Sequence, residues 1–219
     1  MHVVIIANGV IRDAAQGRAL AAQADLLICA DGGARYALEW GLQPDIVIGD
    51  MDSLEAGDLE RLTAAGARLI RHPSRKDETD LELALAQALQ EGASEITILG
   101  ALGGRPDQTL ANILLLAWPR LKSVRVTIVE GPDRLFLVRR SVTIQGKKGD
   151  IVSLLPLSPR VTHITTVGLE YPLRDEALYR GLTRGISNVM IADEATITVG
   201  RGLLWVSHRR CDSEISDSP

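Results

Sequence analysis

Residues 29–54 read CADGGARYALEWGLQPDIVIGDMDSL, and their order decides the fold. An apolar, strand-like run ends at Cys29. A carboxylate and two glycines follow at Asp31, Gly32 and Gly33. A short helical stretch then leads into a second strand-like run, DIVIG, closed by Asp50 and Asp52. Strand, turn, helix, strand is the repeating unit of a parallel α/β sheet, and such sheets bind ligands outside the carboxyl ends of their strands. Three acids delivered to one such edge repel one another. At about 4 Å and an effective dielectric near 20, each close pair costs on the order of 4 kcal/mol. A hard divalent cation with oxygen ligands removes that cost, and Mg²⁺ is the usual one where phosphates share the site. Asp50 and Asp52 are two residues apart in an extended segment and therefore point to one side. Taken alone, the pair is equally compatible with a solvated turn in which Ser53 caps the next helix.

Working outward, short β-branched runs alternate with amphipathic helical segments from residue 1 to about residue 131. Strands are expected at 3–6, 26–29, 45–48, 67–70, 95–99 and 124–129, and helices at 14–23, 34–40, 56–65, 79–91 and 108–118. Leu81, Leu85 and Leu89 with Ala84 and Ala88 make one apolar helical face, and Thr79 followed by Glu82 has the form of a capping box. This alternation predicts a doubly wound, mainly parallel sheet over 1–131. After GPDR at 131–134 the pattern changes to strand-like runs punctuated by Gly and Pro, which predicts a smaller antiparallel β-sandwich over 132–219 with a polar, frayed tail at 212–219.

The chain has 219 residues, 46% hydrophobic and 24% charged, with a net charge of −4, so it can bury a substantial core and offers no basic stripe to a nucleic acid. The first 131 residues hold 18 acids against 12 bases and the rest 10 against 12, so the excess of acid lies with the candidate cation site. Two cysteines far apart, Cys29 and Cys211, imply no disulfide framework, and no apolar run approaches a membrane span. The expectation is a soluble cytoplasmic protein with neither nucleic-acid nor membrane partners.

Two further turns follow predicted strands. Lys76-Asp77-Glu78-Thr79-Asp80 sets Asp77 and Asp80 one helical turn apart beside a lysine, though acids at a helix start are also favoured by the helix dipole alone. Gly103-Gly104-Arg105-Pro106-Asp107-Gln108 places adjacent glycines, whose N–H groups can approach a phosphate, before a helix that Pro106 can start. Arg105 adds a bidentate phosphate donor. Neither GxGxxG nor GxxxxGK[ST] occurs, which argues against a dinucleotide oxidoreductase and a P-loop. One Mg–polyphosphate site explains all these turns more economically than a separate account of each. The residues therefore point to Mg-dependent phosphoryl transfer from a nucleotide without a Walker motif, and leave the acceptor open. Trp205, in Leu203-Leu204-Trp205, reads as core or as a flat platform for an aromatic ligand.

The ordered series DGGA (31–34), GDMDS (49–53), KDETD (76–80) and GGRPDQ (103–108), with Ile186-Ser187-Asn188 and the Trp205 segment, resembles the thiamine pyrophosphokinase family over nearly the whole chain. That resemblance implies an ATP- and Mg-binding α/β domain, a thiamine-binding β-sandwich, and a homodimer with the active site at the subunit interface. It implies pyrophosphoryl transfer from ATP to the hydroxyethyl oxygen of thiamine. By position, Asp50, Asp52 and Asp80 would hold Mg²⁺, with Asp31, Gly32, Gly33, Lys76, Asp77, Gly103, Gly104 and Arg105 around the nucleotide. Asp107 would lie near the reacting hydroxyl with Gln108 beside it, and Ser187, Asn188 and Trp205 would line the thiamine site. Arg35 stands where the family pattern often has Asn, and Gln108 where many members have His. The alternatives are a pyrophosphokinase for another hydroxymethyl heterocycle, such as a pterin, and a non-catalytic nucleotide sensor.

Overall fold

Strands buried on both faces require helices on both sides, and the first part of the chain supplies them. β1 (His2–Ile6), β2 (Leu26–Ala30), β3 (Ile46–Gly49), β4 (Arg68–Arg71), β5 (Glu95–Leu99) and β6 (Arg125–Glu130) alternate with α1 (Ala14–Ala21), α2 (Ala34–Glu39), α3 (Ala56–Ala64), α4 (Asp80–Gln90) and α5 (Pro106–Leu115). The computed structural model describes residues 1–211; the tail expected at 212–219 lies outside them. Two units divide the chain at Gly131 and Pro132.

In the first unit every strand pairing is parallel, in the order β6-β5-β1-β2-β3-β4. The chain winds outward from β1 to β4, then returns to place β5 on the other side of β1. That reversal makes the β1/β5 boundary the switch point at which a doubly wound sheet binds ligands. Alternation sorts the core. Val4, Ile6, Leu27, Cys29 and Val47 join Ala34, Ala37 and Trp40 of the α2 segment and Leu62 of α3 on one face. Ile5, Ile28, Ile46 and Ile48 point the other way by the strand period and are also buried. Helix α4 packs on β1, β2 and β3 through Leu81, Ala84, Leu85 and Ala88, the face its spacing predicts. Thr79 caps it, its Oγ1 accepting from the Glu82 N–H at 3.2 Å. Helix α5 starts two residues before the expected 108 because Pro106 supplies a helical φ in the first turn. It ends at Leu115, after which Leu116 and Ala117 donate back only three residues, a tightened final turn.

Burial first, then the charge of Asp45, pushes the Cys29 thiol well above its ordinary value, so Cys29 stays a neutral packing group. Cys29 and Cys211 are both free. No helix among the described residues is long and apolar enough to cross a membrane.

The second unit is antiparallel and has two layers. β7 (Asp133–Val138), β8 (Ser141–Gln145), β9 (Ile151–Pro156), β10 (Arg160–Val167), β11 (Glu176–Tyr179), β12 (Asn188–Val189), β13 (Glu194–Thr198) and β14 (Leu204–Arg209) form two four-stranded layers, β12-β9-β14-β7 and β11-β10-β13-β8. Val152, Leu154, Leu204 and Val206 of the first layer meet Val161, Ile164, Ala195 and Ile197 of the second in one core, a β-sandwich. By the same alternation Trp205 points away from that core, half-buried between Leu137 and Leu155 on the neighbouring strands.

Candidate active site

The carboxyl ends of β1, β2, β3 and β5 open into a cleft of about 620 Å³ at the switch point. Asp31 enters it directly after β2, on a single 3₁₀ turn over Asp31–Gly33. Its φ of 45° lies in the left-handed region, which is uncommon outside glycine, and its side chain is buried with Oδ1 lacking a hydrogen-bond partner. Asp50 and Asp52 come from the turn after β3, where buried Met51 is also left-handed at φ 66°. Carboxylate oxygens of Asp31, Asp50 and Asp52 all lie within 4.8 Å of one another. The Asp52 N–H donates to Asp50 Oδ1 at 3.2 Å. That bond outweighs partial burial and, with the Ser74 hydroxyl and the Lys76 charge, holds the Asp50 carboxyl below the usual range. A buried carboxylate oxygen with no donor, beside two more carboxylates, is a donor set that fits a hard divalent cation.

Asp31, Asp50 and Asp52 are the acids that the strand-end reading of the sequence put on one edge; the family resemblance grouped Asp80 with Asp50 and Asp52. Asp80 reaches the same turn from the start of α4: a Cβ on Gly49 would stand 3.0 Å from its Oδ1. That oxygen is engaged by Lys76 Nζ at 2.7 Å, a pair in which the lysine is only 11% exposed. Asp77 also lines the cleft.

The glycines divide by function. A Cβ on Gly33 would fall 2.1 Å from the Ile6 carbonyl oxygen, and one on Gly32 would fall 2.4 Å from Asn8 Oδ1. Both are packing glycines that bring β2 against the end of β1, and neither lines the cleft. Gly103 and Gly104 do line it, at φ 83° and 69°, and a Cβ on Gly104 would meet nothing. Their role is backbone shape, both being left-handed where they line the cleft. Arg105 grips Asp107 with two parallel bonds, Nε to Oδ1 at 3.1 Å and Nη2 to Oδ2 at 2.6 Å, both side chains well exposed. The Arg105 bond, first among several, holds the Asp107 carboxyl below its usual range. Arg105 and Gln108 line the cleft, whereas Asp107 does not.

Sequence reading missed Asn8 and Gly9 after β1, and Asn112, all of which line the cleft. Asn112 is buried in α5 and donates to the Ala101 carbonyl at 2.8 Å, fixing the glycine turn from beneath. A polar residue inside the apolar run LANILLL is the signal that could have found it.

In the second unit Asn188 is buried and its amide is spent on the backbone: it accepts from the Tyr171 N–H at 3.0 Å and donates to the Tyr171 carbonyl at 2.8 Å. That clamp positions Ser187, which is exposed at φ 57° and whose N–H donates to Ser153 Oγ. Trp205 keeps a buried indole N–H with no acceptor. Within this layer Trp205 pairs with Leu155 of β9, Ser153 pairs with Ser207 two residues further along β14, and Asn188 pairs with Val152 one strand beyond.

Residues 18–128 match the family described as the catalytic domain of thiamin pyrophosphokinase, and residues 140–204 match its vitamin B1 binding domain. A thiamine pyrophosphokinase of Bacillus subtilis is 30% identical over 181 residues, which is 82% of this chain and 85% of the relative. Thiamine pyrophosphokinase 1 of rice is 26% identical over 209 residues, 84% of this chain and 78% of the relative. The crystal structure of thiamine pyrophosphokinase from Bacillus subtilis superposes with a TM-score of 0.84 at 27% identity, covering 97% of this chain and 100% of the other. The Candida albicans thiamin pyrophosphokinase gives a TM-score of 0.81 at 20% identity, over 96% and 89% of the two chains, a likeness of fold alone. On the geometry of its cleft and on these matches over both units, the chain belongs to the thiamine pyrophosphokinase family.

Proposed function

We propose that this enzyme transfers a pyrophosphoryl group from ATP to the hydroxyethyl oxygen of thiamine, giving thiamine diphosphate and AMP. The observation that carries the reading is the switch-point cleft itself, lined by Asp31 and Asp50 together with the Gly103-Gly104-Arg105 turn, with an Asp52 carboxylate oxygen within 4.8 Å of both acids. A new O–P bond forms between the thiamine oxygen and the β-phosphorus. The bond from the β-phosphorus to the α,β-bridging oxygen breaks, AMP leaves with that oxygen, and the hydroxyl proton is lost to solvent. Asp31, Asp50 and Asp52 would hold Mg²⁺, with Asp80 and Asp77 beside them; when bound, the ion supplies charge neutralisation for the polyphosphate. Lys76, nearly buried, adds a fixed positive charge, and the Gly103-Gly104 N–H groups receive phosphate oxygens. Arg105 would exchange Asp107 for phosphate, so Asp107 keeps the guanidinium aimed until the nucleotide arrives. Ser187, Trp205 and the loop clamped by Asn188 would hold thiamine, in a cytoplasmic homodimer with thiamine bound between subunits.

Incubation with ATP, Mg²⁺ and thiamine tests this. AMP and thiamine diphosphate in equal amounts are expected; stoichiometric ADP with thiamine monophosphate would overturn it.

A further inference from the structure

The turn that carries Asp50 and Asp52 is left-handed at Met51 and is tied down from outside. Ser53 Oγ donates to Asp52 Oδ1 at 3.2 Å. Ser53 Oγ itself accepts from Asn8 Nδ2 at 3.3 Å, and Asn8 Oδ1 accepts from Arg35 Nη2 at 2.8 Å. Arg35 Nε donates in turn to the Gly32 carbonyl at 3.3 Å, on the turn that carries Asp31. One chain of hydrogen bonds thus runs from a guanidinium on α2 to a carboxylate of the candidate cation site, through turns that follow three different strands.

The direction of this chain is fixed at one end. A guanidinium only donates, so it dictates that Asn8 present its oxygen to Arg35 and its NH₂ to Ser53. The Ser53 hydroxyl, already receiving a proton from Asn8, directs its own to Asp52. Without a donor-only group at 35, the Asn8 amide is free to turn over, Ser53 can donate to Asn8 instead, and Asp52 loses its tie.

We propose that Arg35 is a positioning residue for the divalent cation: by fixing the Asn8 amide it holds Asp52, through Ser53, in the orientation that binds metal. This rests on the reading of Asp31, Asp50 and Asp52 as a cation site. Partners that orient metal ligands through hydrogen bonds typically contribute 10–100-fold to metal affinity, and with exposed members the effect belongs at the lower end, about 10-fold.

The test is Mn²⁺ binding to the intact protein, followed by the loss of the free-ion electron paramagnetic resonance signal. Arg35→Ala and Ser53→Ala should each weaken binding by about 10-fold. The double variant should be no weaker than the poorer single one, because both cut the same chain. Arg35→Lys, which keeps a donor-only group, should retain most of the affinity. Melting of metal-free Arg35→Ala should match wild type, since Arg35 is exposed. Wild-type affinity in Arg35→Ala, or losses that multiply in the double variant, would overturn the proposal while leaving the cation site standing. Wild type binding Mn²⁺ no better than Asp50→Asn would remove the cation site and the proposal together.

Discussion

Replacing Asp31 by Asn should make the metal-free protein more stable and the enzyme inactive. Asp31 is buried, one of its oxygens lacks any hydrogen-bond donor, and its carboxylate lies within 4.8 Å of those of Asp50 and Asp52. At that separation and an effective dielectric near 20, one pair of unit charges repels by about 3.5 kcal/mol. Exposure of Asp52 and partial exposure of Asp50 let solvent screen much of this. The amide that replaces the carboxylate leaves a polar group with the same poor partners. A net gain of about 2 kcal/mol is expected, which for a chain of this size raises the melting temperature by about 4–8 °C. Calorimetry in EDTA and again in excess Mg²⁺ reads both halves of the argument. Wild type should melt higher with Mg²⁺, because a ligand that binds only the folded state stabilises it, while Asp31→Asn should respond little. A variant that melts below wild type in EDTA, or gains as much from Mg²⁺, would refute the crowding of charge on which the cation site rests.

Gly33→Ala should destabilise by several kcal/mol, since its Cβ would press 2.1 Å from a backbone oxygen that cannot give way, whereas Gly104→Ala should cost only about 1–2 kcal/mol of left-handed strain; urea denaturation of both separates packing from shape. Asp150, buried against His208 Nε2 at 2.8 Å, has its carboxyl held below the usual range, with burial opposing and bonds from the Cys211 N–H and His208 prevailing. Its folded pKa is depressed, so its contribution is present above the unfolded value near 3.8 and lost as pH falls through the folded one. Asp150→Asn should cost about 3 kcal/mol at neutral pH, and the difference should close below pH 4; a difference constant with pH would contradict the assignment. Trp205→Ala should weaken thiamine binding by about 1–3 kcal/mol. Subunit exchange with Asp50→Asn should then restore activity at low thiamine if each subunit supplies Trp205 to its partner, and no recovery in confirmed heterodimers would reject the shared site.

The strands and helices of the first unit were legible to within a few residues because buried β-branched runs and the Leu81-Leu85 face carry their periods openly. Boundaries shifted where backbone chemistry decided them, as at Pro106. The order of the strands was not legible. Nothing in HVVII marks β1 as the strand beside the reversal, so the Asn8-Gly9 turn went unread although it lines the cleft. Asp31, Asp50 and Asp52 were legible as one group because like charges after neighbouring strands are costly, whereas Asp80 was joined to Asp50 and Asp52 only by the family resemblance. In three dimensions Lys76 occupies Asp80, and the left-handed φ of Asp31 turns that carboxylate towards the other two. The packing demand on the DGG glycines was not legible, because it comes from the approach of Ile6 and Asn8 at the end of another strand.

The central claim is that thiamine attacks the β-phosphorus of ATP in the cleft of the first unit. Parallel reactions with ATP labelled with ³²P at the α or the γ position, run with wild type and Asp50→Asn, test it most directly. The account predicts that the γ label moves into thiamine diphosphate, that the α label stays in AMP, and that both transfers are nearly abolished in Asp50→Asn. Gamma label appearing in thiamine monophosphate, α label appearing in any thiamine product, or undiminished transfer by Asp50→Asn would contradict it.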